Sequence, residues 1–505
     1  MNKARQRKFG IVLSYLVMAS NFLIGLVYTP FLIRSLGQSE YGNYNYVNSI
    51  ASYLVLLTCG FGSAYLRFSS PYRKNNDKDG IENVNGLFLV LFFIMGTIAL
   101  LIGGVMTIKS DWILSGKLTE NELETGKLLM GILVANVFMT FPVSIFNSYI
   151  IAQERFVFQK ALTLVSTFLT PVTCTIVLLL GQKVVGIAIA TLCVTVIVDT
   201  VIVLYCIVKL KMRFQFHFIR WEQAKEVYIF SLFLLLSMIV DQVNWSVDKF
   251  LLGKICGTVV VAIYTVGSTI NSYYMSMGEA ISNVFVPKVY ELLSHEDGDH
   301  QATILMTRLG RVQFMVLSLI ITGFALYGKL FIYLWVGNDY ALTYYVILLL
   351  IIPVTIPEIQ KIGLEIQKAK NLHKFRSLVY TLIAIVNIAI TIPLAHTWGA
   401  VGAALGTAIT VFVGNGIIMN LYYHKKVHVD MKYFWKNILK LFPSVIGSAI
   451  IGLGINISIN PYSWPTFIIC VILYTTVYLI VIFFFGLYPY ERNYIMSLLR
   501  RTTSK

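Results

Sequence analysis

The sequence predicts an all-α, polytopic membrane protein of fourteen transmembrane helices: two six-helix lobes related as parallel repeats, plus two extra helices at the C-terminus. Three observations predict it. Of 505 residues, 57% are hydrophobic and 13% charged, too few charges to cover the surface of a soluble protein of this length; the mean hydropathy is +0.74. The apolar residues fall in repeated blocks of roughly 20, the length that crosses about 30 Å of hydrocarbon as helix. Most of the 40 Lys and Arg gather in alternate loops between those blocks, the pattern of cytoplasmic segments. A β-barrel would show alternating segments of about ten residues, whereas Leu87–Thr107 and Phe467–Phe485 are continuous apolar runs.

The start is basic (Lys3, Arg5, Arg7, Lys8), and the apolar stretch behind it runs on to about Ile33. That is too long for a signal-peptide core, so an uncleaved first span is expected at 10–34. The others are expected at 44–67, 85–107, 128–151, 160–181, 185–208, 227–252, 259–286, 312–336, 343–363, 376–396, 399–422, 437–459 and 465–487. The N-lobe is then 1–208, a cytoplasmic linker follows at 209–226, the C-lobe is 227–424, and 437–487 is the appended pair. With both termini inside, the basic loops around Lys209, Lys211 and Arg213 and around Lys368, Lys370 and Lys374 are cytoplasmic. The longest outside loop, 108–127, carries Asp111, Glu120, Glu122 and Glu124 and is acidic on balance. Dropping one span would invert every later loop and ruin this sorting.

The formal charge of +16 does not indicate a nucleic-acid partner, because its residues sit at span ends. The six cysteines lie in apolar stretches without metal-ligand spacing, and the seven histidines pair with no Cys or carboxylate at metal or catalytic spacing. No Walker A motif is present. Neither a cofactor nor a metal is expected, and no enzyme activity.

Two segments repeat. Leu32–Tyr53 matches Leu252–Tyr273 at a fixed offset through Leu32 and Leu252, Arg34 and Lys254, Gly37 and Gly257, and Tyr44 and Tyr264. Gly186–Thr191 matches Gly402–Thr407 at nearly the same offset. Copies six spans apart enter from the same side, so they are parallel repeats, the plan of a transporter with a cavity between lobes.

A charged group at mid-span costs roughly 2.5–3.5 kcal/mol on insertion scales, so each needs a reason. The seventh span carries Asp241, Asn244, Trp245, Asp248 and Lys249, most on one stripe. One reading is a cavity face for a cation or an anionic substrate; the other is an interhelical ion pair. Glu279 in the eighth span is read as a cavity acid. Asn136, Thr140, Ser144 and Asn147 in the fourth span, and Ser268 in the eighth, are read as interhelical hydrogen bonds. Pro353, Pro357 and Glu358 in the tenth span suggest a kinked gate with a polar cytoplasmic half. Arg67 and Arg311 fall at cytoplasmic span ends, and Arg34, Lys249 and Lys329 toward the outer side; one reading is that these long chains snorkel to the interface, the other that some face a central cavity, and a cationic cavity would favour an anionic ligand such as a pyrophosphate.

The run Thr29-Pro-Phe-Leu-Ile-Arg-Ser-Leu-Gly37, with Glu40-Tyr-Gly-Asn-Tyr44, Val247-Asp-Lys-Phe-Leu-Leu-Gly253, Ala262-Ile-Tyr264 and Trp398-Gly-Ala-Val-Gly-Ala-Ala404, resembles the Wzx-type flippases of the multidrug/oligosaccharidyl-lipid/polysaccharide superfamily, whose fold is MATE-like. The resemblance covers nearly the whole chain. It implies a flippase that moves an undecaprenyl-pyrophosphate-linked oligosaccharide across the bacterial cytoplasmic membrane by alternating access. It also implies a cationic central cavity. Fourteen spans are similar to the lipid II flippase relatives, whose last two helices hold the lipid tail. On this reading Arg34, Lys249, Arg67 and Arg311 bind the headgroup; Asp241, Asp248 and Glu279 couple H⁺ or Na⁺; and the protein works as a monomer with membrane lipid around it. A cation-coupled drug exporter of the same architecture is the first alternative. A polysaccharide polymerase is the second, though such enzymes carry a large outside loop with catalytic residues.

Overall fold

A computed structural model describes residues 3–58, 60–114, 116–216, 221–295, 297–489, 491–493 and 496; at 3–5, 7, 8, 221–224, 232–234, 236, 237, 240, 241, 243–245, 373 and 374 it describes the helical backbone only. Every regular element among these residues is helical. Ten stretches are long and apolar enough to cross a membrane. Two of them, Phe9–Lys74 and Phe375–Lys425, hold 66 and 51 residues, about 100 and 75 Å as unbroken helix, far more than one bilayer thickness.

Both long stretches are broken, and the breaks are glycines. Helix α1 (Lys3–Val55) leaves helical geometry at Gly37, where φ is 78°. The expected loop at 35–43 is therefore helical on either side of one residue. The second stretch breaks at Gly399, between the expected eleventh and twelfth spans. A side chain at positive φ would clash with its own backbone, so glycine is the residue that permits a sharp break with almost no loop. Gly257, the repeat partner of Gly37, has φ 94° and separates α7 (Trp221–Cys256) from α8 (Thr258–Asn283). The two repeat copies thus carry the same backbone device.

The chain forms two compact units, Met1–Ala262 and Ile263–Lys505. The first unit contains α1, α2 (Phe61–Lys74), α3 (Lys78–Ile108), α4 (Glu120–Ala152), α5 (Phe156–Leu179), α6 (Val184–Leu204), α7 and the first turn of α8. The expected second span, 44–67, is interrupted: a short 3₁₀ turn at Leu56–Thr58 and a left-handed Gly60 precede α2. Phe61, Phe88 and Phe141 are fully buried where α2, α3 and α4 meet, with Phe61 edge-on to Phe92 at 5.6 Å. The linker segment after α6 docks on α3: Gln215 N donates to Glu82 O at 3.0 Å and Asn85 Nδ2 to Arg213 O at 2.9 Å. Residues 217–220 of that linker lie outside the described residues.

The second unit holds the rest of α8, then α9 (Val286–Leu292), α10 (Gly298–Val336), α11 (Thr343–Ile359), α12 (Lys361–Ala369), α13 (His373–Val411), α14 (Met419–Lys425), α15 (Met431–Leu439), α16 (Phe442–Ile459) and α17 (Trp464–Val481). The expected thirteenth span is split at Lys440–Leu441 into α15 and α16, because Lys432, Lys436 and Lys440 keep α15 at a polar surface. Tyrosine hydroxyls join the last two long helices to α10. Tyr327 Oη donates to Gly452 O at 3.0 Å, Tyr478 Oη to Met315 O at 2.7 Å, and Tyr474 Oη to Thr322 Oγ1.

The outward faces of the long helices are hydrocarbon. Val27, Leu101, Leu179, Ile457 and Phe485 each expose 65–79% of their area. In water such a surface would be unfavourable by roughly 25 cal/mol per Å²; in a bilayer it meets its own kind. The chain is a multi-pass membrane protein. The hydroxyl stripe on α4 and Ser268 on α8 do not reach across to neighbours, as the sequence suggested. Thr140 donates to Val137 O, Ser144 to Thr140 O and Ser268 to Thr265 O, each within its own helix, where a short side chain finds the nearest carbonyl first.

Candidate functional site

In the second unit, α8, α10, α11 and α12 converge on three charged side chains. Lys361 Nζ lies 2.7 Å from Glu279 Oε1 and 3.0 Å from Glu358 Oε1. Glu358 and Lys361 are three apart across the junction of α11 and α12, so they meet along one helical face. The Glu279 side chain is about half exposed, Lys361 mostly covered and Glu358 buried. Glu358 Oε2 has no hydrogen-bond partner. It faces the α8 backbone at Gly278, where a Cβ would stand 2.3 Å from it. Gln313 on α10 holds that wall by donating to Gly278 O at 2.9 Å and Ser282 Oγ at 2.7 Å, and Tyr274 and Thr355 share a hydrogen bond at 2.6 Å beside it.

One lysine serves two carboxylates, one half-exposed and one buried, and the buried one keeps an oxygen without a hydrogen-bond donor. An ionised oxygen without a donor is unfavourable there. A proton or small cation on Glu358 Oε2 would remove the imbalance and free Lys361 to favour Glu279. Glu279 and Glu358, expected as a coupling acid and a gate residue, belong to one cluster, with Lys361 as the bridge.

Pro353 and Pro357 do not themselves break α11, which runs helical through both to Ile359. The break comes at Gln360, with φ −104°. Freed carbonyls one turn before each proline loosen the helix, and it gives way just beyond the second.

Arg311 is not placed to bind a ligand. It is buried in α10, and its guanidinium makes a bidentate pair with Glu491, 2.9 Å on both arms. It also donates to Asn437 O at 2.7 Å and Gly486 O at 2.9 Å, and stacks on Tyr488 at 4.0 Å. Sequence could not reveal this, since the partners lie 126–180 positions away.

In the first unit the seventh helix packs on the second half of α1. Gln242 Nε2 donates to Ser52 Oγ at 2.8 Å, and the rings of Tyr46 and Phe250 stack at 6.2 Å. Asp248 is buried and Lys249 half-buried; the side chains of Asp241, Asn244 and Trp245 lie outside the described residues. Arg34 is exposed, three residues before the Gly37 break. Arg67 is exposed too, with its guanidinium 4.4 Å from the Phe230 ring centre. Phe230 precedes Lys249 by nineteen residues on one helix, about 28 Å at 1.5 Å per residue. Arg67 and Lys249 therefore stand near opposite ends of α7 and do not form one site.

Two further acids stand out, Glu122, read from the sequence only as one of the acids of an outside loop, and Asp199, which the sequence reading passed over. Glu122, outside the hydrocarbon at the start of α4, accepts hydrogen bonds from Ser39, Thr258 (2.6 Å) and Thr119, and its carbonyl accepts from Asn43 at 2.8 Å. Burial raises its pKa, but the donated hydrogen bonds of Ser39, Thr258 and Thr119 outweigh that and hold it below the ordinary carboxylate value. Asp199 sits inside the expected sixth span, half-buried, with Oδ2 covered and lacking a hydrogen-bond partner. A lone acid at mid-span was signal enough to flag it. Among the described residues no cluster of three or more His, Cys, Asp or Glu is placed to hold a metal ion.

Residues 9–291, more than half of the chain, match the family model described as "Polysaccharide biosynthesis protein". No curated protein matches the sequence. Among solved structures the chain is similar to the lipid II flippase MurJ in an inward closed conformation, with 16% identity, a TM-score of 0.72, and coverage of 93% of this chain and 98% of that one. It is also similar to an inward-facing multidrug resistance MATE family transporter of the MOP superfamily, with 16% identity, a TM-score of 0.59, and coverage of 81% and 98%. The Vibrio cholerae MATE transporter VcmN, in its bent form, shares 14% identity at a TM-score of 0.55, covering 86% of this chain and 99% of that one. The chain has the fold of these transporters.

Proposed function

The chain belongs to the polysaccharide biosynthesis protein family, and from that premise we propose that it is a flippase and not an enzyme. It carries an undecaprenyl-pyrophosphate-linked oligosaccharide across the bacterial cytoplasmic membrane for surface polysaccharide synthesis. It has fourteen crossings, built as two six-helix lobes and a terminal pair, with both chain ends inside. The observation that carries the reading is the extent of the flippase likeness. MurJ matches 93% of this chain at a TM-score of 0.72, against 81% and 0.59 for the multidrug transporter. The remainder left by MurJ is shorter than Met431–Gly486, so the match reaches into the terminal pair that the flippase reading requires.

The working parts follow from placement. Arg67 of α2, beside Phe230 near the inner end of α7, meets the pyrophosphate first. Lys249 and Arg34, toward the outer end, receive it later. Two cationic stations about 28 Å apart suit a charged headgroup that must be stabilised along a path, since each ion pair replaces part of its lost hydration. Arg311 drops out of the binding set, because its donors are spent on Glu491, Asn437 and Gly486. A proton taken by Glu358 couples to the motion through Lys361 and Glu279. The polyprenyl tail stays in the bilayer against apolar helix faces.

The test is leaflet sidedness of a labelled undecaprenyl-pyrophosphate oligosaccharide in proteoliposomes. Protein-dependent movement is expected, weaker in Lys249→Ala and in Arg67→Ala. Equal translocation with and without protein would end the proposal. Movement of cationic dyes but not of the lipid-linked sugar would favour a drug exporter instead.

A further inference from the structure

The short helix α15 and the turn before it form a basic, partly apolar surface outside the proposed transport site. Lys425, Lys426, Lys432, Lys436 and Lys440 are all exposed. The one acid between residues 419 and 440 is Asp430, and its carboxylate is already used as the N-cap of α15, accepting from Lys432 N and Tyr433 N at 3.0 Å. Among the lysines, Tyr433 and Leu439 are exposed by 44% and 54%. The opposite face is fixed: Phe434 and Ile438 are fully buried, and Asp430 N donates to Thr303 Oγ1 at 3.3 Å.

Position decides what such a surface can meet. Five residues separate α14, the end of one apolar hairpin, from α15, and two separate α15 from α16. The helix is therefore held at the boundary of the hydrocarbon. There a cationic helix with exposed aromatic and aliphatic side chains lies against headgroups. The same helix supplies Asn437, whose carbonyl accepts from Arg311 Nη1 and whose Oδ1 accepts from Tyr488 Oη.

We infer that residues 425–440 bind the anionic phospholipid headgroups of the leaflet they border, with Lys432 and Lys436 on phosphate, and that this contact steadies α10 and the terminal pair through Asn437 and Arg311. The inference does not depend on which substrate is carried. A role in membrane insertion alone would leave the purified protein indifferent to headgroup charge, and that difference is measurable. The probe is phosphatidylglycerol against phosphatidylcholine, added to the purified protein in neutral detergent. Retained lipid is counted by native mass spectrometry and stability is read as Tm. Wild type is expected to retain phosphatidylglycerol preferentially and gain Tm from it, with both effects lost in high salt. The K432Q/K436Q variant should bind phosphatidylglycerol roughly thirtyfold more weakly, at about 1 kcal/mol per lysine, while K432R/K436R keeps it. K209Q/K211Q, a change at exposed lysines elsewhere, should behave as wild type. Equal retention of the two lipids by wild type, or an undiminished preference in K432Q/K436Q, overturns the inference. Should K432Q/K436Q fail to purify, the wild-type salt and headgroup series decides alone.

Discussion

At the scale of single residues, burial sorts the charges by role. Glu358 is a buried carboxylate with one oxygen paired to Lys361 and the other bare, whereas every charged partner of Arg311 is in place. The two predict opposite phenotypes. Glu358→Gln keeps the shape, removes the proton acceptor and lets Lys361 settle on Glu279. We expect a folded protein whose transport no longer responds to an imposed pH gradient, read in proteoliposomes. An unchanged pH response in this variant would remove Glu358 from coupling. Arg311→Ala removes the guanidinium from a covered pair with Glu491, a loss of about 3–5 kcal/mol for a broken buried pair. It should lower Tm steeply. Arg311→Lys cannot restore the bidentate pair and should recover only part of the loss.

At the scale of elements, two devices hold the helices in register. The first is Glu122, which ties the start of α4 to Ser39 and Asn43 on α1 and to Thr258 at the start of α8. Its carboxyl is held below the ordinary value in the fold. It therefore favours the folded state above that ordinary value, and the advantage disappears as pH falls through the folded value. Acid titration of Tm should show this loss in wild type and not in Glu122→Gln; the same acid-induced drop in both would mean that another group is responsible. The second device is the pair of breaks at Gly37 and Gly257. Alanine at either must adopt a left-handed φ, at a cost of about 1–2 kcal/mol. We expect Gly37→Ala and Gly257→Ala to lower stability by similar amounts, and a tolerant response at one of them would show that the two repeats do not use the break alike.

At the scale of the whole molecule, the orientation proposed from the lysine and arginine distribution is open to direct measurement. A cysteine at Lys117, in the acidic loop before α4, should react with a membrane-impermeant maleimide on intact cells. One at Lys211, in the basic linker, should react only after the membrane is opened. The reverse pattern would invert every loop and discard the proposed direction of transport.

Much of this was legible in the chain. Blocks of about 20 apolar residues specify membrane helices without any tertiary help, because an isolated backbone in hydrocarbon must satisfy itself. The sequence matched Gly37 with Gly257 as repeat positions, but their positive φ, and so the shared break, appears only in the structure. The sequence also nominated Glu279, Glu358 and Arg311 as charges needing a reason. It could not assign the reason. Glu279 meets Lys361 across 82 positions and Arg311 meets Glu491 across 180, and only the packing of α8 on α12, and of α10 on the segment after α17, brings such distant groups within hydrogen-bonding range. Likewise, local hydropathy places residues 437–459 in one span, while the structure ends one helix at Leu439 and starts the next at Phe442. Solvent preference is a property of each segment taken alone and is written in composition. What a charge faces depends on which distant segment the fold puts opposite it, and that was decided only when the helices packed.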